Sequence, residues 1–272
     1  MTHPSNSNLS ARNVLSVQDL HQNYGTLMAL SGVSFHLQAG ECVALIGPNG
    51  AGKSTCFACL AGQQKASQGQ IIWHGQDLQS IAVHQRRTLG VVRTFQVAQI
   101  FESLSVLQNL QLVLKSASGV SAFDVLDESC QDEAFMWLRK MGLDNLSPEA
   151  LNASAGNLSY GNQKRLELAM AMAGMPHPQQ GLLLLDEPAA GLSPSERALM
   201  MRQVKSLANE GTTVLYTEHN MDAVFGVADR VLVLMAGRLV AQGSPQEVAA
   251  NPVVREQYLG HSFKYIESNP DA

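Results

Sequence analysis

Two kinds of hydrophobic pattern alternate along the chain. Residues 14–20 and 33–37 place apolar and polar side chains in turn, the pattern of strands with one buried face. Residues 41–46 and 181–185 run almost unbroken in apolar side chains, as parallel strands buried on both faces do. Residues 69–73, 212–216, 230–235 and 238–242 read as further strands, with turns at His74-Gly75 and Ala236-Gly237. Between them the period changes to that of a helix. Helices are predicted over 53–61, 159–173, 194–209 and 221–227. Leu104, Leu107, Leu110 and Leu114 recur at helical spacing, and 132–141 sets Phe135, Leu138 and Met141 on one face. Ser193 and Ser244 are each followed by Pro and, three residues on, by Glu; both spell a capping box with Pro at the first helical position. No convincing strand falls between 99 and 157, which reads as a helical insertion. The strand–helix alternation around it predicts an α/β domain with a mainly parallel sheet.

Composition narrows the picture. With 272 residues, 45% hydrophobic and 15% charged, the chain can bury a sizeable core and does not have the composition of a disordered protein. Its longest apolar runs, such as 231–236, fall far short of the ~20 residues a membrane helix needs. Met1 to Asn8 carry neither a basic start nor an apolar stretch, so no secretory signal is expected and the chain is placed in the cytosol. A net charge of −5 argues against a surface that coats nucleic acid, and none is expected as a partner. Four cysteines make no disulfide framework. Cys56 and Cys59 form a C-x-x-C without a second pair, inside a predicted helix. They read as small apolar residues of a helix face rather than metal ligands. Residues 1–13 and 261–272 are expected to be polar tails.

The chemistry concentrates in two segments. Gly47, Pro48, Asn49, Gly50, Ala51, Gly52, Lys53 and Ser54 fit G-x-x-x-x-G-K-[ST], between an apolar strand and a helix. Glycines with positive φ let backbone N–H groups close around phosphate oxygens, and the following helix adds its N-terminal dipole. Lys53 would reach the β- and γ-phosphates of a nucleotide, and Ser54 would offer its hydroxyl to Mg²⁺. Thr55 continues the same segment and is placed with the nucleotide-binding residues. The second segment is the apolar run ending in Asp186-Glu187-Pro188. A carboxylate at the C-terminal end of a buried parallel strand lies where such sheets bind ligands. Asp186 would hold Mg²⁺, and Glu187 would polarise an attacking water.

Leu158-Ser159-Tyr160-Gly161-Asn162-Gln163, lying between these segments, resembles the signature of ABC-transporter ATPases. Gln96 in Arg93-Thr-Phe-Gln96 resembles that family's Q-loop glutamine, Ala190-Gly-Leu-Ser193 its D-loop, and His219 its switch histidine. Tyr24 resembles the aromatic that stacks on adenine. Here Tyr160 stands where the common signature has its first glycine, and Asn162 precedes Gln163; Ser159 and Gly161 remain. The resemblance spans roughly residues 14–260. It implies a RecA-like P-loop NTPase fold, with a mainly parallel core sheet, an antiparallel β part and an α-helical subdomain at about 97–175. It implies ATP and Mg²⁺ as ligands, with Gln96 joining Ser54 and Asp186 around the metal, Glu187 as general base and His219 on the γ-phosphate. The signature residues 159–163 would close the ATP site of a second cassette, either a sister paralogue or another copy.

Several stretches are similar to the ATP-binding subunits of branched-chain amino acid importers: residues 92–96, Leu158 to Glu167, 186–194, 218–222 and the end at 251–260. That resemblance implies two membrane permease subunits docking near Val97 to Phe101, a solute-binding protein that never touches this chain, and a peripheral place on the cytoplasmic face of the inner membrane. Importers of urea or short amides share much of the pattern. A lipid or lipopolysaccharide exporter and a soluble ABC ATPase are the remaining alternatives.

Overall fold

A computed structural model describes residues 13–117 and 130–260. A six-stranded sheet forms the centre, with β1 to β10 numbered along the chain. Its order is β10 (Arg238–Gly243), β9 (Arg230–Met235), β3 (Cys42–Ile46), β8 (Thr213–Thr217), β7 (Leu182–Asp186) and β6 (Val91–Arg93). All neighbours are parallel except β10, which returns antiparallel on β9. A second sheet, ordered β2 (Leu27–Gln38), β1 (Asn13–Tyr24), β4 (Gln68–Trp73) and β5 (Gln76–Asp77), is antiparallel. The α-helices of four residues or more among the described residues are α1 (Lys53–Ala61), α2 (Val83–Arg86), α3 (Val106–Ala117), α4 (Gln131–Lys140), α5 (Pro148–Asn152), α6 (Tyr160–Ala173), α7 (Pro194–Asn209), α8 (Met221–Phe225) and α9 (Pro245–Ala250).

The central strands are apolar throughout because both faces are covered. Alternate residues point to opposite sides. Ala44, Leu183, Leu185 and Val233 face a core shared with α3, α4, α6 and α7. Val43, Leu45, Leu184 and Leu232 face a second core shared with α1 and the antiparallel sheet. Cys56 and Cys59 are buried in that second core, and burial pushes the Cys59 thiol up to about 11 and that of Cys56 higher still. The two thiols thus stand as small apolar residues of the α1 face that packs in this core.

Several expectations need correction. The first strand starts at Asn13, which pairs with Gln38, so residue 13 belongs to the sheet and not to a tail; the other tail residues lie outside the described ones. The alternation of that strand also breaks parity. Leu15 and Val17 point inward, and so does Leu20, three residues on. A register irregularity between Val17 and Leu20, with Asp19 at φ 46°, restores the inward face, and the Ser34 hydroxyl accepts the Asp19 N–H at 2.9 Å. Leu104 lies before α3 rather than on it. The expected face of 132–141 does stand inward, with Leu138 and the capping Met141 buried and Phe135 packed against the same core, and Ala134 and Trp137 join it. α8 ends at Phe225. The three-residue strand β6 was not foreseen, being too short to show a period. Both expected capping boxes are present, at Ser193/Glu196 and Ser244/Glu247.

Candidate functional site

The parallel register brings four strand ends to one edge of the central sheet. Leu45 and Asp186 are both paired with Thr217, and Arg93 with Leu184. Residues 47–52 leave this edge from β3 and lead into α1. The loop is tight. A Cβ at Gly47 (φ 149°) would overlap the Leu234 carbonyl oxygen, and one at Gly52 (φ 104°) would lie 2.5 Å from that of Ala29. Gly52 N-caps α1 with no side-chain acceptor, so no side chain competes for the first amides of the helix. The Lys53 ammonium folds back onto the carbonyls of Gly47 (2.6 Å) and Pro48 (3.1 Å). Burial lowers its pKa, and Glu187 and Asp186 oppose that shift, so both carboxylates act on the lysine across the site. Ser54 is exposed and Thr55 half-buried at the start of the helix. Gly50 has open space around it.

The acidic pair diverges into two environments. Asp186 accepts the Thr217 hydroxyl at 2.8 Å and pairs with Arg93 at 2.6 Å. Arg93 also donates to Gln63, and its guanidinium lies between the rings of Phe57 and Phe95, 5.8 and 5.4 Å from their centroids. Glu187 sits in the left-handed region at φ 48°, uncommon for a side chain of this kind. Its N–H is held by Thr217 Oγ1 at 3.1 Å. Its two carboxylate oxygens are engaged separately, one accepting the Gln96 amide at 2.9 Å and the other His219 Nε2 at 2.8 Å. A carboxylate cannot donate, so this bond requires the proton on Nε2.

The structure thus gathers Gln96, Asp186, Glu187 and His219 at the edge where residues 47–55 begin α1. Tyr24 ends β1 at the tip of the β1–β2 hairpin, which runs past the loop at Ala29; it is exposed, as are Leu27 and Met28 beside it. The signature residues stand apart from residues 47–55, although Tyr160 Oη donates to the Gln96 carbonyl. Ser159 caps α6 by accepting the Asn162 N–H, Gln163 donates to the Gly156 carbonyl, and Asn162 holds Arg165. Tyr160 and Gly161 open the helix, with the Glu196 carboxylate beside Gly161. Among the described residues no hydrogen bond or ion pair joins 159–163 to 47–55.

Three residues of the site escaped the sequence reading. Arg93 and Thr217 hold Asp186. Glu218, buried, accepts the N–H groups of Ala189 (2.9 Å) and His219 (3.2 Å) and so ties the loop after Glu187 to the histidine. Burial raises the Glu218 pKa, and the amides it accepts oppose that rise. A carboxylate beside a flagged histidine was visible in the sequence, but its inward orientation was not.

Comparison with known proteins places the chain in a family. The ABC transporter family profile matches residues 30–190, and a profile described as branched-chain amino acid ATP-binding cassette transporter matches 238–264. The chain is 39% identical over 259 residues to the high-affinity branched-chain amino acid transport ATP-binding protein LivG of Escherichia coli K12, covering 92% of this chain and 98% of that one. It is 35% identical over 262 residues to BraF of Pseudomonas aeruginosa, of the same description, covering 93% and 100%. Among solved structures, a nucleotide-free ATP-binding cassette from an ABC transporter superposes with a TM-score of 0.78 at 27% identity, covering 91% of this chain and 99% of that one. Fold and likeness agree: the chain belongs to the ABC transporter family, as one of its ATP-hydrolysing cassettes.

Proposed function

We propose that this chain is the ATPase subunit of an importer of branched-chain amino acids, a single cassette over 13–260 with a helical subdomain at about 97–175. The observation that carries the ATPase chemistry is the engagement of Glu187 by Gln96 and His219 at the sheet edge where the glycine loop opens α1. The importer class rests on the LivG and BraF likeness and on the C-terminal profile.

In this reading residues 47–55 cradle the phosphates and Tyr24 takes the adenine. Lys53 exchanges its two carbonyl partners for phosphate oxygens. Burial supports that exchange, because a desolvated ammonium favours a closer anion over neutral carbonyls. Ser54, Asp186 and Gln96 would hold Mg²⁺, an all-oxygen set that suits a hard cation. Both oxygens of Asp186 are engaged, by the Thr217 hydroxyl and by Arg93, so Arg93 would yield its place to the metal. Bound Mg²⁺ neutralises charge on the phosphates. Glu187 orients and deprotonates the water, and His219 holds the carboxylate in place and meets the γ-phosphate. The capped start of α6 (Ser159, Tyr160, Gly161, Asn162, Gln163) serves the ATP of a second cassette, a sister subunit or another copy.

Two membrane permease subunits would dock at Val97 to Phe101. Val97 and Phe101 are exposed there, and Ile100 packs inward on the core. A solute-binding protein acts on the permease from outside. None of the described helices is long and apolar enough to cross a membrane, and the permease would hold the chain at the cytoplasmic face of the inner membrane.

The test is the assembled transporter in lipid vesicles. Its ATPase is expected to rise when the solute-binding protein is loaded with leucine, isoleucine or valine. Stimulation by urea or short amides alone would move the protein to that importer class, and co-purification with ribosomes or a lipid-export permease would end the import reading.

A further inference from the structure

Three side chains of α6 face the segment that carries Gln96, and all three bond to its main chain. Tyr160 Oη donates to the Gln96 carbonyl at 3.0 Å. Lys164 Nζ donates to the Phe95 carbonyl at 2.7 Å. Glu167 Oε1 accepts the N–H groups of Phe95 (3.3 Å) and Gln99 (3.2 Å). Their spacing, i, i+4 and i+7, is that of one helix face. Lys164 and Glu167 also pair with each other at 3.8 Å, their side chains only 2% and 7% exposed. Burial lowers the lysine pKa and raises that of the glutamate, and each opposes the shift of the other. A buried ion pair is a weak source of stability, and register is its best-attested use. Here both charges are spent on main-chain groups of 95–99.

We propose that α6 positions the catalytic carboxylate: Tyr160, Lys164 and Glu167 clamp the backbone of 95–99 to the helix that begins with the signature, so the reach of the Gln96 amide to Glu187 is set by where that helix lies. This rests on the reading above, in which Glu187 is the base and the start of α6 meets a partner's ATP. The consequence is that engagement at the signature of one cassette readjusts Gln96 and Glu187 in the same cassette. Tyr160, the departure from the common signature, is the outermost of the three grips. All three bond to the main chain of 95–99 and act on Glu187 through Gln96, as positioning residues.

The full chain tests this in two ways. In steady-state hydrolysis, Lys164→Met is expected to lower kcat about tenfold with the affinity for a non-hydrolysable ATP analogue held within about twofold, and Lys164→Arg to restore most of the loss. Combined with Gln96→Ala, Lys164→Met should add little further loss, because both act on one contact. Independently of activity, Glu167→Gln should speed hydrogen exchange at the Phe95 and Gln99 amides about tenfold while the amides of Cys42–Ile46 keep their protection. A parent-like kcat in Lys164→Met, multiplying losses in the double variant, or unchanged exchange at 95 and 99 would overturn the proposal. Should the parent bind the analogue but not hydrolyse ATP, the base assignment fails instead, and the exchange measurement still decides the clamp.

Discussion

Glu187 combines a backbone conformation rare for its type with two separately engaged carboxylate oxygens. An amide in its place fits the same space but takes no proton. Glu187→Gln is therefore expected to bind ATP while hydrolysing it about 10²–10⁴-fold more slowly, the usual weight of a general base, in a phosphate-release assay. Lys53→Ala removes the cation of the loop, and an ATP titration should show affinity lost; unchanged binding would contradict the cradle. The buried thiols give a pH dependence of known sign. Burial pushes Cys42 to about 12 and Cys59 to about 11, against an ordinary value of 9.0. The folded chain keeps protons that the unfolded chain releases, so the contribution is complete below pH 9 and fades as the pH climbs toward 11–12. The Tm of the Cys42→Ala/Cys59→Ala variant should fall less steeply over that range than that of the parent.

Helix starts and glycine turns decide stability one element at a time. The Ser244 hydroxyl accepts the Glu247 N–H while Glu247 accepts the Ser244 N–H, which satisfies amides that would otherwise be left without partners at the start of α9. Ser244→Ala is expected to cost about 1 kcal/mol in chemical denaturation, with ATP affinity unchanged. Gly52 answers to two elements at once, because a Cβ there meets both the Ala29 carbonyl and the Leu30 side chain. Gly52→Ala must push the loop away from the β1–β2 hairpin, and weaker nucleotide binding should follow.

At the scale of the whole molecule, the proposed function divides the ATP site into two halves that do not meet within one chain. Residues 47–55 lie at the strand ends, while Ser159 to Gln163 open α6 without bonding to them. In the function proposed above, a second cassette supplies the missing half, with ATP between the two. Glu187→Gln with ATP and Mg²⁺ is therefore expected to elute from size exclusion at twice the mass of the nucleotide-free chain. Elution as a monomer at saturating ATP would contradict an interface built on the signature.

Local order was legible in the sequence alone. The glycine loop, the apolar strands, the capped helices and the Asp186-Glu187 pair each depend on neighbours a few residues away, and periodicity and spacing record such dependence directly. The remainder came from packing. Arg93 reaches Asp186 across 93 positions, Gln96 reaches Glu187 across 91, and Lys164 reaches Phe95 across 69. No local pattern encodes which buried charge will meet which carbonyl. The parity break at Asp19 and the inward turn of Glu218 are of the same kind, because each is fixed by a partner that only the folded sheets bring near.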